Sequence, residues 1–124
     1  MFKDKPSSAI VAVSDLARAK AFYAETLALE LDGEMEGVLA FRTGATRLVV
    51  YPSSSAGTNK ANAVVWDAGA DFDAIHAELK GKGVAFEEYP GMGMKVQDGV
   101  HSTGDFKAAW FKDPDENILH FNNM

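Results

Sequence analysis

The sequence predicts an α+β fold built from two βαβββ modules, and two observations support this prediction. A strand-then-helix pattern occurs twice, at residues 9–29 and again at residues 63–84. Three strand-like runs follow each copy, so one half of the chain repeats the order of the other. We therefore expect a single domain whose modules, about residues 7–52 and 61–124, form a half-open barrel-like sheet with a helix on the outer face of each module.

The first module begins with an apolar run, residues 9–13 ("AIVAV"), which predicts a strand. Asp15 follows as the predicted N-cap of a helix. Apolar side chains then recur at helical spacing, at Leu16, Ala19, Phe22, Tyr23 and Leu27. Strand signals at about residues 29–35, 38–43 and 46–51 complete the module.

The second module repeats this order, with Asp71 as the predicted N-cap of its helix. One face of that helix carries the apolar residues Phe72, Ile75 and Leu79. Gly81 or Gly83 is expected to end the helix, because glycine is the preferred residue just past a helix C-terminus. The expected strands are residues 84–88, 106–111 and 117–121.

Two stretches fall outside this pattern. The Pro-, Ser-, Gly- and Asn-containing residues 52–62 read as a surface linker between the modules. Residues 89–104 contain four glycines and predict either a functional loop or a poorly ordered one. Function is favoured, because Met92 and Met94 give this segment apolar contacts that a solvated linker would not need.

Composition excludes several classes of function. Of the 124 residues, 47% are hydrophobic and 24% charged, which is typical of a globular domain with a proper core. The net charge of -6, with no cluster of Lys and Arg, argues against nucleic acid and anionic membranes as partners. No apolar run is long enough to cross a bilayer, so we expect a cytoplasmic protein. The absence of cysteine excludes disulfides, thiolate metal sites and cysteine nucleophiles.

Two motifs carry a resemblance to a known family. The helix start "VSDLARAKAFY" (residues 13–23) and the turn "AAWFKDPDENIL" (residues 108–119), within the doubled βαβββ order, resemble the vicinal oxygen chelate superfamily. This superfamily includes glyoxalase I, bleomycin-resistance proteins and extradiol dioxygenases. The resemblance implies a half-open barrel from paired modules and a homodimer. In metal-dependent members it also implies His, Gln or Glu ligands on the first and last strands of each module.

Carried onto this chain, the resemblance places the four metal positions at Ser8, Tyr51, Val64 and His120. Only His120 is a good ligand for a divalent metal. Because a catalytic Zn²⁺, Ni²⁺ or Fe²⁺ site needs about three imidazole or carboxylate ligands, we expect no metal and no other cofactor. The chain also lacks the phosphate-loop, GxSxG and HExxH motifs.

The three histidines receive different predictions. His76 follows the core-facing Ile75 on the second helix, so we expect it at the edge of a packed face. His101, in the glycine-rich segment, could swing toward His120. For His120 two interpretations stay open: an imidazole that packs with one backbone hydrogen bond, or a side chain that contacts a ligand.

Strand alternation predicts which side chains face the cleft. If His120 points inward, so do Ile118 and Asn122, while Leu119 and Phe121 pack under the helix. The same alternation in the other strands places Ser8, Ile10, Ala12, Val49, Tyr51, Asn62, Val64 and Trp66 on the inner surface. Trp110 is predicted to face inward, whereas the neighbouring Phe111 is expected to anchor the turn.

That turn departs from the family's common "DPDGN" form, because Glu116 stands where glycine is usual. Either Asn117 adopts the left-handed conformation, or Glu116 does so at a cost of about 1 kcal/mol. In both cases the segment is first a structural corner, and it places His120 as a consequence.

Together these features predict a small-molecule-binding protein of the glyoxalase/bleomycin-resistance type that holds an aromatic or planar ligand in the sheet cleft. The residues expected to contact the ligand are Tyr51, Trp66, Met92, His101, Trp110 and His120. The alternative is a glyoxalase-like lyase, isomerase or dioxygenase with an atypical metal site or a metal-free one. Whether the chain catalyses a reaction stays open at this point.

Overall fold

The computed structural model describes all 124 residues, which divide into two compact units, residues 1–58 and 59–124. Each unit contains one α-helix and one mixed sheet, so the predicted α+β class is confirmed. The strands of both sheets run in an open order that does not close into a barrel. None of the helices has the length and apolar character needed to span a membrane.

The first unit has the predicted βαβββ order. Its elements are β1 (Ala9–Val13), α1 (Leu16–Ala21), a π-helical turn (Phe22–Thr26), β2 (Glu30–Met35), β3 (Val38–Thr43) and β4 (Thr46–Pro52). The strands lie in the order β1-β4-β3-β2, with β1 parallel to β4 and the other pairs antiparallel. The strands predicted from hydrophobic pattern therefore lie within about a residue of where they were expected.

The start of α1 follows from local chemistry. The carboxylate of Asp15 accepts a hydrogen bond from the backbone N–H of Arg18 at 3.0 Å, which confirms the predicted N-cap. Tyr23, which is fully buried, lies 5.8 Å from the ring of Phe41 between centroids. The core of this unit consists of alternate strand residues that are all at most 2% exposed: Val11, Val13, Leu39, Phe41, Leu48 and Val50. Burial of each of these side chains contributes about 1.5–3 kcal/mol to the stability of the fold. This buried face therefore stabilises the sheet of the first unit.

The second unit contains more strands than predicted. Its elements are β5 (Asn62–Asp67), α2 (Phe72–Gly81), β6 (Phe86–Glu87), β7 (Lys95–Gln97), β8 (Val100–Thr103), β9 (Phe106–Lys112) and β10 (Ile118–Asn122). The main order is β5-β10-β9-β8-β7, and β6 pairs with β9 as well. Strand β5 is parallel to β10, and the other pairs are antiparallel.

The segment 89–104, predicted as a functional or poorly ordered loop, is instead largely a β-hairpin. Strands β7 and β8 pair through Gln97 and Val100, leaving Asp98 and Gly99 as a two-residue connection. Both connecting residues have positive φ, +52° and +77°, as Asp-Gly hairpin turns require. The Asp98-Gly99 dipeptide is therefore a sequence signal for a hairpin. The other glycines of the segment indicated a loop instead.

Helix α2 begins differently from the prediction. The Asp71 side chain makes no capping hydrogen bond, because a 3₁₀ turn at Gly69–Asp71 leads into the helix. The helix ends at Gly81 with Lys82 as its C-cap, so of the two predicted glycines Gly83, with φ +86°, is the one just past the C-terminus. Phe72, which is 2% exposed, packs on Phe121 with ring centroids 4.9 Å apart, as expected for a helix covering β10.

The turn between β9 and β10 is built around one carboxylate. Asp113 accepts hydrogen bonds from the backbone N–H groups of Asp115 and Asn117 at 2.9 and 2.8 Å. Its second oxygen accepts from the Asn117 side-chain amide at 2.8 Å. Of the two residues that could have adopted the left-handed conformation, Glu116 does so, with φ +66°. This corner fixes where β10 starts and hence where His120 lies.

Candidate functional site

Four rings meet on the face of the second unit's sheet that is opposite α2, and we call them the ring cluster: Tyr89, His101, Trp110 and His120. The Trp110 and His120 rings are stacked, with centroids 4.4 Å apart and an interplanar angle of 19°. His101 meets Trp110 edge-on at 4.9 Å, and Tyr89 does so at 5.5 Å. The pairing of His120 with Trp110 in the antiparallel strands explains why they share this face.

The parity predicted for β10 is confirmed by its neighbours. Leu119 and Phe121 are at most 2% exposed, and Phe121 contacts Phe72 of α2. Phe111 lies on that same helix-covered face, 6.1 Å from Phe121 between ring centroids, rather than serving only the turn. His120 therefore points to the opposite face, as the sequence predicted.

The hydrogen bonds of His120 define its protonation state. The Nδ1 atom lies 3.1 Å from the carbonyl oxygen of Ala109, which can only accept, so Nδ1 carries the proton. The Nε2 atom is then an acceptor, and the amide of Asn122 lies 3.4 Å from it. Burial lowers the pKa of His120, and the hydrogen bond to Ala109 opposes this shift. The ring is thus a neutral imidazole that offers an acceptor nitrogen.

His101 is held in place, and the prediction that it could swing toward His120 is wrong. It is fully buried in β8. Its Nε2 accepts a hydrogen bond from the backbone N–H of Tyr89 at 2.8 Å, and its Nδ1 donates to the carbonyl of Gly99 at 3.3 Å. Both nitrogens are therefore in use, and the side chain supports Trp110 from the edge.

Tyr89 is a member of the cluster that the sequence analysis did not single out. Burial, and then the nearby charge of Glu87, raise the pKa of its phenol, so the hydroxyl stays protonated. A signal was present: Tyr89 is two residues beyond Glu87, which pairs directly with Trp110. Strand alternation applied to residues 87 and 89 would have placed the ring on this face.

The prediction that Val64 and Trp66 share a face with His120 is wrong. Trp66 pairs with Phe121, and Val65 pairs with His120. The cause is a bulge: Asn62 pairs with Ile118, but the next pair is Val64 with Leu119, so Ala63 is an extra residue in β5. One inserted residue moves every later side chain to the opposite face. Val65, 57% exposed, therefore lies opposite His120, where Val64 was predicted, and Asp67 lies opposite Asn122, where Trp66 was predicted.

Two other predicted contact residues lie outside the ring cluster. Met92 ends a short 3₁₀ turn at Pro90–Met92 and is 50% exposed. Tyr51 belongs to the first unit, where it pairs with Ala12 on the face opposite Val50. The prediction that Tyr51 and Ala12 share a face is confirmed.

His76 has a structural role. Instead of lying at the edge of a packed face, it is 9% exposed and stacks on Phe86 with centroids 4.4 Å apart. Its Nε2 atom donates to the carbonyl of Asp98 at 2.8 Å, and the neighbouring Lys80 forms an ion pair with the Asp98 carboxylate at 2.5 Å. These contacts hold the β7–β8 turn against α2.

The donor set does not fit the metal that the resemblance implies. The Val64 side chain has no donor atom and faces the helix-covered side, and that of Val65, which replaces it on the face opposite α2, has none either. The Ser8 hydroxyl lies 3.4 Å from the Thr46 hydroxyl in the first unit. No three His, Cys, Asp or Glu side chains lie close enough together to hold a metal ion.

Comparisons with known proteins agree with this fold. The family model described as Glyoxalase/Bleomycin resistance protein/Dioxygenase superfamily matches residues 5–121. Among curated proteins, none matches this sequence.

Three solved structures illustrate the likeness. The oxidase ChaP-H2 has a TM-score of 0.74 at 18% identity, over 98% of this chain and 94% of that chain. A fosfomycin resistance protein from Listeria monocytogenes has a TM-score of 0.73 at 15% identity, over 96% and 92%. A lactoylglutathione lyase from Agrobacterium tumefaciens has a TM-score of 0.67 at 17% identity, over 98% and 95%. At these identities the likeness concerns the fold alone.

Proposed function

Because the chain belongs to the glyoxalase/bleomycin resistance protein/dioxygenase superfamily, we propose that it is a small-molecule-binding protein that holds a planar, partly apolar ligand at the ring cluster. The observation that carries this proposal is the stack of Trp110 on His120 on the sheet face opposite α2. Aromatic rings beside a few polar groups are typical of small-molecule sites, because the rings supply contact area and the polar atoms fix orientation.

The polar atoms of the cluster favour a particular kind of ligand. His120 Nε2 is an acceptor that the Asn122 amide meets only at 3.4 Å, so a ligand with an O–H or N–H group at the edge of its ring can donate to it by displacing that long contact. Glu87, paired with Trp110, adds negative charge that Lys112 offsets at 3.3 Å. These groups favour a neutral ligand with a hydrogen-bond donor over an anionic one.

A metal has no part in this proposal, because the side chains at the family's metal positions include two that cannot serve as good ligands, Ser8 and Val64. The proposal also places the protein in the cytoplasm as a homodimer. Elemental analysis and melting curves with added Zn²⁺, Ni²⁺ and Mn²⁺ test the metal-free part. Near-stoichiometric metal that raises the melting temperature would contradict it, because a native site stabilises the fold by mass action.

A second candidate is a metal-free enzyme in which His120 transfers a proton. The feature that favours it is the neutral imidazole with its acceptor Nε2, since a general base must be unprotonated at the working pH. The two candidates differ in outcome: a binding protein releases the compound unchanged, whereas an enzyme converts it. Incubation of each bound compound followed by mass spectrometry separates them.

The binding proposal is tested by a thermal-shift screen of planar aromatic compounds and glutathione adducts, followed by titrations of each hit. Trp110→Phe and His120→Ala should weaken binding, by roughly 1–3 kcal/mol for the tryptophan as a recognition anchor. Trp66→Phe is the matched control, because Trp66 lies on the opposite face of the same sheet. Equal affinity for wild type and the two cluster variants would place the site elsewhere.

A further inference from the structure

A separate pocket of about 340 Å³ lies in the first unit, beside the turn between β3 and β4. Two arginines and one aspartate line it together with residues of the N-terminal segment and the turn. The lining residues include Ser8, Asp32, Arg42, Ala45, Thr46 and Arg47. We call this the arginine pocket.

The two arginines are an unusual pair. Arg42 and Arg47 lie directly opposite each other on β3 and β4, a placement in which like charges repel. Asp32, at an irregularity of β2, bridges them: Arg42 Nη2 donates to Oδ1 at 2.9 Å and Arg47 Nε donates to Oδ2 at 2.5 Å. The two guanidiniums lower the pKa of Asp32, so it remains a carboxylate.

This arrangement leaves binding capacity unused. Two guanidiniums face one carboxylate, so the lining has an excess of one positive charge in a protein whose net charge is -6. Each guanidinium has about five N–H donors, and the bridge to Asp32 uses one of them on each side chain. Both side chains are more than half exposed, 56% for Arg42 and 59% for Arg47, so their remaining donors can be reached.

Neighbouring groups distinguish the two arginines. Glu30 pairs with Arg42 across β2 and β3 and attracts it, but Glu30 does not line the pocket. Arg47 is therefore the freer cation. On the other wall, the Ser8 hydroxyl lies 3.4 Å from that of Thr46, which itself donates to the Ser7 carbonyl at 2.8 Å. Since the Thr46 proton is committed to Ser7, Ser8 is the donor in the contact with Thr46, and the two arginines supply the free donors of the pocket.

We propose that the arginine pocket binds an oxyanion, a carboxylate, phosphate or phosphonate group, through Arg47 and Arg42. Arginine suits such groups because its planar fork matches two oxygens at once. The excess positive charge supplies the attraction, and Asp32 holds the two guanidiniums side by side. This proposal is independent of the ring cluster.

The test is an NMR titration of the full chain with inorganic phosphate, methylphosphonate and acetate, at constant ionic strength maintained with chloride. We expect saturable shifts at the backbone amides of residues 44–47, with a dissociation constant of roughly 1 mM for the preferred anion. Comparison of the three anions identifies the oxyanion class.

Variants make the result specific. Arg47→Gln should weaken binding about tenfold, since a charge-assisted hydrogen bond is lost. Arg18→Gln, which removes an exposed arginine of α1, should leave the affinity unchanged. Asp32→Asn should tighten binding about threefold or more, because the competing negative charge is removed while the side-chain shape is kept. The proposal is overturned if no anion gives saturable shifts by about 50 mM, a concentration far above that dissociation constant, or if Arg47→Gln binds as well as wild type.

Discussion

The Trp110 indole and the His120 imidazole lie 4.4 Å apart between ring centroids and only 19° from parallel. Both side chains are nearly buried, at 6% and 9% exposure. Residue pairing sets this contact, because the two residues are direct partners in β9 and β10. The stack also covers one face of the imidazole and so contributes to the burial that lowers the pKa of His120.

This lowered pKa predicts a specific pH dependence of stability. The unfolded chain protonates His120 near its ordinary pKa of about 6.5, whereas the folded protein does so at lower pH. The free energy of unfolding should therefore fall as the pH drops through about 6.5, and the loss is complete below the folded-state pKa. Urea unfolding of wild type and His120→Gln between pH 7.5 and 5 measures this. The variant should show a shallower loss, and equal slopes would contradict the prediction.

We expect alanine substitution to destabilise the protein more at Gly99, in the β7–β8 turn, than at Gly93, which precedes β7. A Cβ at Gly99 would lie 2.4 Å from the Cβ of Phe86, in addition to the positive φ of +77°. Gly93 has the same φ, but a Cβ added there would meet no atom within 4 Å, so it is the matched control. Gly99→Ala should cost about 2–5 kcal/mol of stability, because it combines left-handed strain with overpacking.

Gly93→Ala should cost only about 1 kcal/mol, because it meets the conformational strain alone. Chemical denaturation of both variants provides the comparison. Similar losses of stability in the two variants would contradict the prediction. They would show that Phe86 moves away from the added methyl group at little cost.

The β9–β10 turn predicts a stabilising substitution. Glu116 holds φ +66°, a conformation that glycine adopts without a steric penalty. Glu116→Gly should therefore raise the free energy of unfolding by about 0.5–1 kcal/mol. Its ion pair with Lys112, at 3.6 Å on exposed side chains, is worth little. Glu116→Gln removes that ion pair and keeps the strained residue, so it should be nearly neutral. A destabilised Glu116→Gly would rule out strain at this position.

Exposed apolar side chains favour the expected homodimer. Val65 is 57% exposed and lies opposite His120 in the second unit's sheet, on the face opposite α2. A dimer formed through this face would cover Val65, which is exposed in the single chain. Sedimentation at tens of micromolar, roughly the range in which weak dimers dissociate, should detect a dimer that Val65→Glu weakens. Met35→Glu is the control, since Met35 is 76% exposed on an edge strand. A wild-type monomer throughout this range would contradict the prediction.

The sequence by itself determined the features that depend on residues close together in the chain. The N-cap at Asp15 acts on a group three residues away, and Asp113 organises a turn that ends four residues later. Hydrophobic spacing likewise located the helices and the strands of the first unit, because alternation and helical periodicity are local properties. For the same reason the inward direction of Trp110 and His120 could be predicted within their own strands.

Only the tertiary structure decided features that depend on partners distant in sequence. The bulge at Ala63, which turns Trp66 away from His120, is defined by the pairing of β5 with β10. His101 is immobile because its nitrogens meet the backbone of Tyr89 and Gly99, which the hairpin brings together. Arg42, Arg47 and Asp32 form a pocket because three strands align them. Strand register is a collective property of two segments, so no single segment's pattern can specify it.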